Sequence, residues 1–240
     1  MKDKEIEIFL KDAEQFNIHL SEKQVNQFIR YYELLVEWNS FMNLTGITDL
    51  SEVLKKHFID SISLVSYVNL NSVNSLIDVG TGAGFPGVPL KIVFPDLKVT
   101  LLDSLDKRIK FLNHVISELD LQDINAIHGR AEDYAGNTEY RESYDIAVSR
   151  AVANLSTLSE YCLPYVKQGG MFISYKSETL DEEVQKAENA INILGGVIKN
   201  KYSFYLPGTD IFRTLCMIEK VNCTPNKYPR KAGLPSKKPL

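Results

Sequence analysis

The sequence predicts an α/β protein: a doubly wound, mostly parallel sheet of seven strands with a helical N-terminal cap. Three observations carry that expectation. From Asn71 onward, short β-rich runs alternate with helical ones, the rhythm of parallel strands joined by crossover helices. The first such run lies in SLIDVGTGAGFPGVPL, residues 75–90, and ends in four glycines where a strand should turn into a helix. Before Asn71 the apolar residues recur at helical spacing.

The opening MKDKEIEIFLKDAEQF has helical spacing and mixed charge, without the basic-then-apolar order of a signal peptide. Ser21 and Gln24 fit a capping box, and Val25, Phe28, Ile29, Tyr32, Leu35 and Val36 then form one buried helical stripe. In WNSFMNLT, residues 38–45, Trp38 and Phe41 are expected to pack the cap onto the sheet. Asn39 and Asn43 sit where paired amides either cap a helix end or contact a base, and Asn43 is the candidate active-site residue. His57, in KKHFIDS, reads as a structural histidine, with substrate or cofactor contact as the alternative.

Strands are expected at 75–79, 97–102, 124–128, 144–149, 170–175, 197–205 and 211–220, with helices near 86–94, 106–119, 154–166 and 179–194. Only LPGTD separates the last two strands, which predicts an antiparallel pair at one sheet edge. The organisation is one structural unit: a cap over 1–70, a core over 71–221 and a basic segment over 222–240.

The net charge of −4 argues against a protein wrapped in nucleic acid, but it hides an asymmetry. Residues 222–240 carry Lys227, Arg230, Lys231, Lys237 and Lys238 and no acid, leaving −9 for the rest of the chain. That Pro-rich segment is expected either to touch an RNA backbone or to be a solvated, disordered terminus. Cys162, Cys216 and Cys223 form no CxxC pair, so a zinc site and a disulfide framework are not expected, and a reducing cytoplasm is. No apolar run is long enough to span a membrane.

Gly80, Gly82, Gly84 and Gly87 occupy the first strand-to-helix turn, which in a doubly wound sheet faces the ligand crevice. Gly82, Gly84 and Gly87 satisfy GxGxxG, and Asp103 follows about twenty residues later at the end of VTLLD. Both dinucleotides and adenosyl cofactors use such a turn and acid. Pro86 removes one N–H that a pyrophosphate would use, and Phe85 adds bulk beside the turn. Asp78, two residues before Gly80, suits a cationic ligand. A P-loop is excluded because no GK[ST] follows. After the third strand, Ala131 and Glu132 suit the face and edge of an adenine ring. Asp103 can instead cap the helix beginning near Ser104, and Glu132 can be surface loop.

The fourth strand ends in DIAVSRAVANL, residues 145–155, where enzymes that methylate base amines carry [DNS]-P-P-[FYW]; that motif is absent. Methylation of a pyrimidine carbon needs a nucleophilic cysteine, and Cys162 lies in an apolar helical stripe. Both absences point to an atom already nucleophilic, such as guanine N7, for which alignment suffices and no general base is needed.

The stretch DVGTGAGFPGVPLKIVFPDLKVTLLDSLDKRIKFL, with WNSFMNLT before it and AED and SRAV after it, resembles the glucose-inhibited division protein B family. The resemblance runs from about residue 20 to 220. It implies a class I, Rossmann-like, S-adenosyl-L-methionine-dependent methyltransferase acting on guanine N7 of bacterial 16S ribosomal RNA or the small subunit. It also implies cofactor contacts at Gly80, Phe85, Asp103, Ala131, Glu132 and Arg150. Arg150 would meet the methionine carboxylate or an RNA phosphate, its structural alternative being an ion pair with Asp145 or Glu142. Lys176 stands at the end of the fifth strand, where it can neutralise phosphate. A monomer with no membrane contact is the expected form. An NAD(P)-dependent oxidoreductase, from the GxGxxG spacing, and a non-catalytic RNA-binding protein, from the basic segment, remain the alternatives.

Overall fold

Ser21 opens the long helix of the cap as its spacing predicts. Its hydroxyl accepts the Gln24 N–H at 3.3 Å, and Gln24 Oε1 accepts the Ser21 N–H at 2.9 Å, closing the capping box. The computed structural model describes residues 2–150, 153–177 and 180–240. The cap comprises α1 (Lys2–Glu14), α2 (Glu22–Met42), α3 (Leu50–Val53), a wide π-helical turn over Leu54–Ile59, and α4 (Asp60–Ile62).

The buried stripe of α2 is Phe28, Tyr31, Leu34 and Leu35, rotated from the expected one. The rotation follows from Tyr31, which stacks on Phe58 at 5.3 Å and donates its hydroxyl to the Ala83 carbonyl in the glycine turn. Phe9, Phe28 and Phe58 complete an aromatic cluster with ring centroids 5.0–6.4 Å apart. Gln24 Nε2 donates to Ile92 O and Gln27 Nε2 to Leu119 O, both at 2.8 Å, so the cap is bolted to the core.

The core alternates β1 (Ser75–Val79), α5 (Gly87–Val93), β2 (Lys98–Asp103), α6 (Asp106–Glu118), β3 (Ile124–His128), α7 (Ala131–Tyr134), β4 (Tyr144–Arg150), α8 (Leu155–Cys162), β5 (Val166–Lys176), α9 (Asp181–Ile193), β6 (Gly196–Tyr205) and β7 (Phe212–Lys220). The short α10 (Leu234–Lys237) follows. All seven strands form one sheet in the order β3-β2-β1-β4-β5-β7-β6. The first five are parallel, and β7 inserts between β5 and β6, antiparallel to both.

The expected helix over 154–166 stops at Cys162, because Pro164 lies in a 3₁₀ turn and β5 already begins at Val166. The expected start of the next helix at residue 179 lies outside the described residues, as do Ala151 and Val152 of SRAV. Period-2 burial assigns the strand side chains to two cores. Leu76 joins the cap, α5 and α6, whereas Ile77 and Val79 join α8 and α9.

Residues 222–240 are docked, which corrects the expectation of a solvated terminus. Arg141 donates to Thr224 O at 2.7 Å and Tyr228 O at 2.9 Å, and Arg230 grips buried Glu160 with both ends of its guanidinium. Among the described residues, no helix is long and apolar enough to cross a membrane.

Candidate cofactor cavity

The strand order reverses between β1 and β4, and a cavity of about 610 Å³ opens outside their carboxyl ends. Its walls include Gly80, Gly82, Phe85, Asp103, Ala131, Glu132 and Arg150 from the expected set. The turn after β1 hooks onto the next strand, since the N–H groups of Gly80 and Thr81 donate to Leu102 O at 2.8 and 3.1 Å. Positive φ at Gly80 (73°), Gly82 (63°) and Gly84 (100°) lets it fold back so tightly.

The four glycines do not share one reason for being there. A Cβ on Gly82 would meet nothing within 4 Å, so its freedom serves the cavity side. A Cβ on Gly84 would stand 2.6 Å from Tyr31 Oη, and one on Gly87 would stand 2.4 Å from Leu101 Cδ2. Those two are excluded by the protein's own cap and sheet, and neither lines the cavity.

Asp78 also lies behind the turn and not in the cavity. Fully buried, it accepts at Oδ2 from Thr81 Oγ1 (2.7 Å) and Gly87 N (2.8 Å), while Oδ1 has no partner among the described residues. Burial pushes its carboxyl up to about 7, against the opposing pull of those two hydrogen bonds and of Arg150. Its side chain already takes the Gly87 N–H at the start of α5, where a dinucleotide pyrophosphate would need free N–H groups.

Asp103 lines the cavity and ties down the turns around it, but it does not cap α6, whose N-cap is Leu105. Oδ2 accepts Gly82 N at 2.9 Å, Oδ1 accepts Leu105 N at 3.0 Å, and Arg108 Nη1 reaches Oδ2 at 3.0 Å. In α7, after β3, Glu132 accepts the Gly233 N–H at Oε1, 2.7 Å away, and Oε2 takes no hydrogen bond among the described residues.

At the far end, Arg150 lies over the Phe85 ring, 5.0 Å from its centroid. Its acid is Asp60 (3.3 Å), not Asp145 or Glu142 as the structural alternative had it. Asp145 instead binds Asn74 N, Ser75 N and Lys167, and Glu142 binds Thr224 N and Lys220. His57 stacks on Phe85 at 4.6 Å and contacts Arg150 Nη2 through Nδ1 and Thr45 Oγ1 through Nε2. A guanidinium only donates, so Nδ1 accepts and the ring proton sits on Nε2. Burial and the Arg150 charge hold this histidine down to about 4, so it is neutral near pH 7.

Other expected residues fall outside the cavity. Asn43 is exposed and ends α2 in the left-handed region, φ 51°, a turn that brings Leu44 and Thr45 to the cavity wall. Asn39 Oδ1 accepts the N–H groups of those two residues at 2.7 and 2.8 Å. Phe41 does not pack on the sheet; it is 67% exposed. Lys176 is held by Glu183 (2.7 Å) and Ala153 O (2.8 Å). Cys162 is buried core, its thiol pushed far up by desolvation, and cannot serve as a nucleophile. Sequence reasoning missed Arg108, Tyr161, Gly233 and Ser236 in the wall, and of these only Arg108 lies near a motif.

A family model described as rRNA small subunit methyltransferase G matches residues 24–207. A ribosomal RNA small subunit methyltransferase G of Lachnoclostridium phytofermentans is 53% identical over 97% of this chain and 96% of its own. One from Staphylococcus aureus (strain Newman) is 53% identical over 98% of each chain. Among solved structures, Methanococcus jannaschii TYW2 in complex with AdoMet matches with TM-score 0.50 and 13% identity over 62% of this chain and 72% of that one. Thermus thermophilus TrmN matches with TM-score 0.50 and 14% identity over 70% of this chain and 53% of that one. At such identities the structural likeness shows the shared sheet architecture alone.

Proposed function

The chain belongs to the rRNA small subunit methyltransferase G family, and on that premise we propose that it methylates N7 of one guanine in 16S ribosomal RNA. S-adenosyl-L-methionine supplies the electrophilic methyl group when bound. The residues present fit that cofactor. The cavity has the volume of a nucleotide-sized site, its floor is open above Gly82, and Glu132 keeps an acceptor free. Asp78 at the start of α5 disfavours the NAD(P) reading.

In this reading Gly80, Gly82 and Phe85 bind the amino-acid part, Asp103 the ribose, and Ala131 and Glu132 the adenine. Asp78 and Gly84 act one step back, by fixing the turn. Asn43 acts by placing Leu44 and Thr45. Arg150 presents a cation beside Phe85, where it pairs with a carboxylate or orients an incoming RNA phosphate.

One observation carries the choice of N7. At the Arg150 end, His57 has both ring nitrogens engaged and stays neutral, so among the described residues no histidine there is placed to remove a proton. Guanine N7 has a lone pair and no proton to lose, so holding it in line is sufficient. The same reading takes the protein as a monomer in the cytoplasm, acting on RNA of the small subunit. Incubation with methyl-labelled cofactor and unmodified small-subunit RNA should place label on N7 of a single guanine. Label on an adenine amine or a cytosine carbon would reject the reading.

A further inference from the structure

Part of the cavity wall comes from a segment that lies beyond the sheet. Gly233 and Ser236 line the cavity together with Tyr161 of α8, facing Ala131 and Glu132. Gly233 adopts φ 81° and donates its N–H to Glu132 Oε1 at 2.7 Å. The segment is pinned to α8 by its backbone: Thr157 Oγ1 donates to Pro235 O at 3.2 Å and Ser156 Oγ to Leu240 O at 3.0 Å. A side-chain latch also holds it. Arg230 donates through Nε (2.9 Å) and N (2.8 Å) to Glu160 Oε1 and through Nη2 (2.6 Å) to Oε2, and the Glu160 side chain is 1% exposed.

We propose that residues 230–237 form the closing wall for the nucleoside end of the cofactor, latched by Arg230 and Glu160. The inference rests on the cofactor reading given above. Its physical basis is linkage. A ligand that touches both Glu132 and the segment binds only the docked state, so it stabilises docking as much as docking stabilises it. Within the segment Pro235 is buried while Leu234 is 41% exposed, so Pro235 is its apolar anchor. The contacts between Arg230 and Glu160 add to that anchor and can be removed without cutting into either apolar core. Arg230 and Glu160 are positioning residues, because neither lines the cavity.

Exposed Lys231 and Lys237 make the segment readable by trypsin. S-adenosyl-homocysteine and 5′-methylthioadenosine, which share the nucleoside end, should each slow cleavage after Lys231 in the wild-type protein. The paired variant E160Q/R230M removes both charges together, so no buried charge is orphaned and the unfolding midpoint should move little. Its affinity for both probes, measured by calorimetry, should fall at least tenfold, and neither probe should slow trypsin. Ser236→Trp fills the cavity without touching the latch. It should weaken both probes by a similar factor at unchanged thermal stability. Unchanged affinities in both variants, or no protection of wild type by a probe that binds, would overturn the wall. Wild-type protein that binds neither probe would overturn the cofactor reading and the wall with it.

Discussion

Asp78→Asn tests the electrostatics beneath the glycine turn. The wild-type carboxyl titrates at about 7 in the folded chain and near 3.9 when unfolded. Between those values the folded state holds the proton and the unfolded state does not, so stability falls as pH rises from about 4 to about 7. Raising pH from about 5 to about 8 crosses roughly two units of that window, a loss of about 3 kcal/mol at 1.36 kcal/mol per unit. Asparagine does not ionise. Its carbonyl can accept from Thr81 Oγ1 and Gly87 N, while its amide replaces the partnerless Oδ1 and costs about 1–3 kcal/mol at every pH. The variant should therefore be the less stable protein at pH 5 and draw level with or pass wild type at pH 8. His57, held down to about 4, pulls the other way, because the unfolded chain takes up its proton first as pH falls below about 6.5. That contribution is common to both proteins and cancels in their difference. Urea unfolding of both at pH 5 and pH 8, without ligand, gives the numbers. A stability difference that stays constant across the two would show that Asp78 is already ionised at pH 5, and the reasoning would fail.

Three further outcomes follow from the geometry. Gly84→Ala combines φ 100° with a clash against Tyr31 Oη and should cost about 2–4 kcal/mol in denaturant unfolding, whereas Gly82→Ala should cost about 1–2 kcal/mol and instead weaken S-adenosyl-homocysteine binding; equal stability losses would erase the distinction. Lys220→Met strips a buried ammonium from Leu163 O, Val166 O, Thr224 Oγ1 and Glu142, and should destabilise by about 3–5 kcal/mol, with a loss under 1 kcal/mol counting against these bonds. Arg150→Ala leaves Asp60 paired with Arg213 at 2.9 Å, so thermal stability should drop by only about 1 kcal/mol while S-adenosyl-homocysteine affinity falls roughly tenfold; unchanged affinity would remove Arg150 from the cofactor site.

β1 and β2 were readable because each is a short buried run fenced by turn residues. The predicted and observed spans of β1 and β3 coincide, and β2 is displaced by a single residue. Insertion of β7 between β5 and β6 was not readable, because a short LPGTD turn fixes that β6 and β7 pair but not which of them meets β5. Gly80, Gly82 and Asp103 in the wall were legible through glycine spacing and a strand-end acid, whereas Arg108, Leu44 and Thr45 were not. The function of Gly84 was not, since its reason is Tyr31, fifty-three residues upstream. Arg150 and Asp60 likewise meet across the fold, ninety residues apart. The basic segment misled for a different reason. Its docking uses carbonyls gripped by Arg141, Ser156 and Thr157, which composition does not mark, and a pairing of Arg230 with Glu160 seventy residues upstream.

The central place of β7 governs the order in which the molecule can be assembled. During synthesis β5 emerges with one flank hydrogen-bonded to β4 and the other bare, and its natural neighbour begins only at Phe212, after α9 and β6. For that interval an eleven-residue strand offers unsatisfied amides to any passing chain. Crowded nascent copies thus face a window of mispairing that closes when the final hairpin slots home, and substitutions that delay that hairpin should show as aggregates on the ribosome before they show as a lowered melting point.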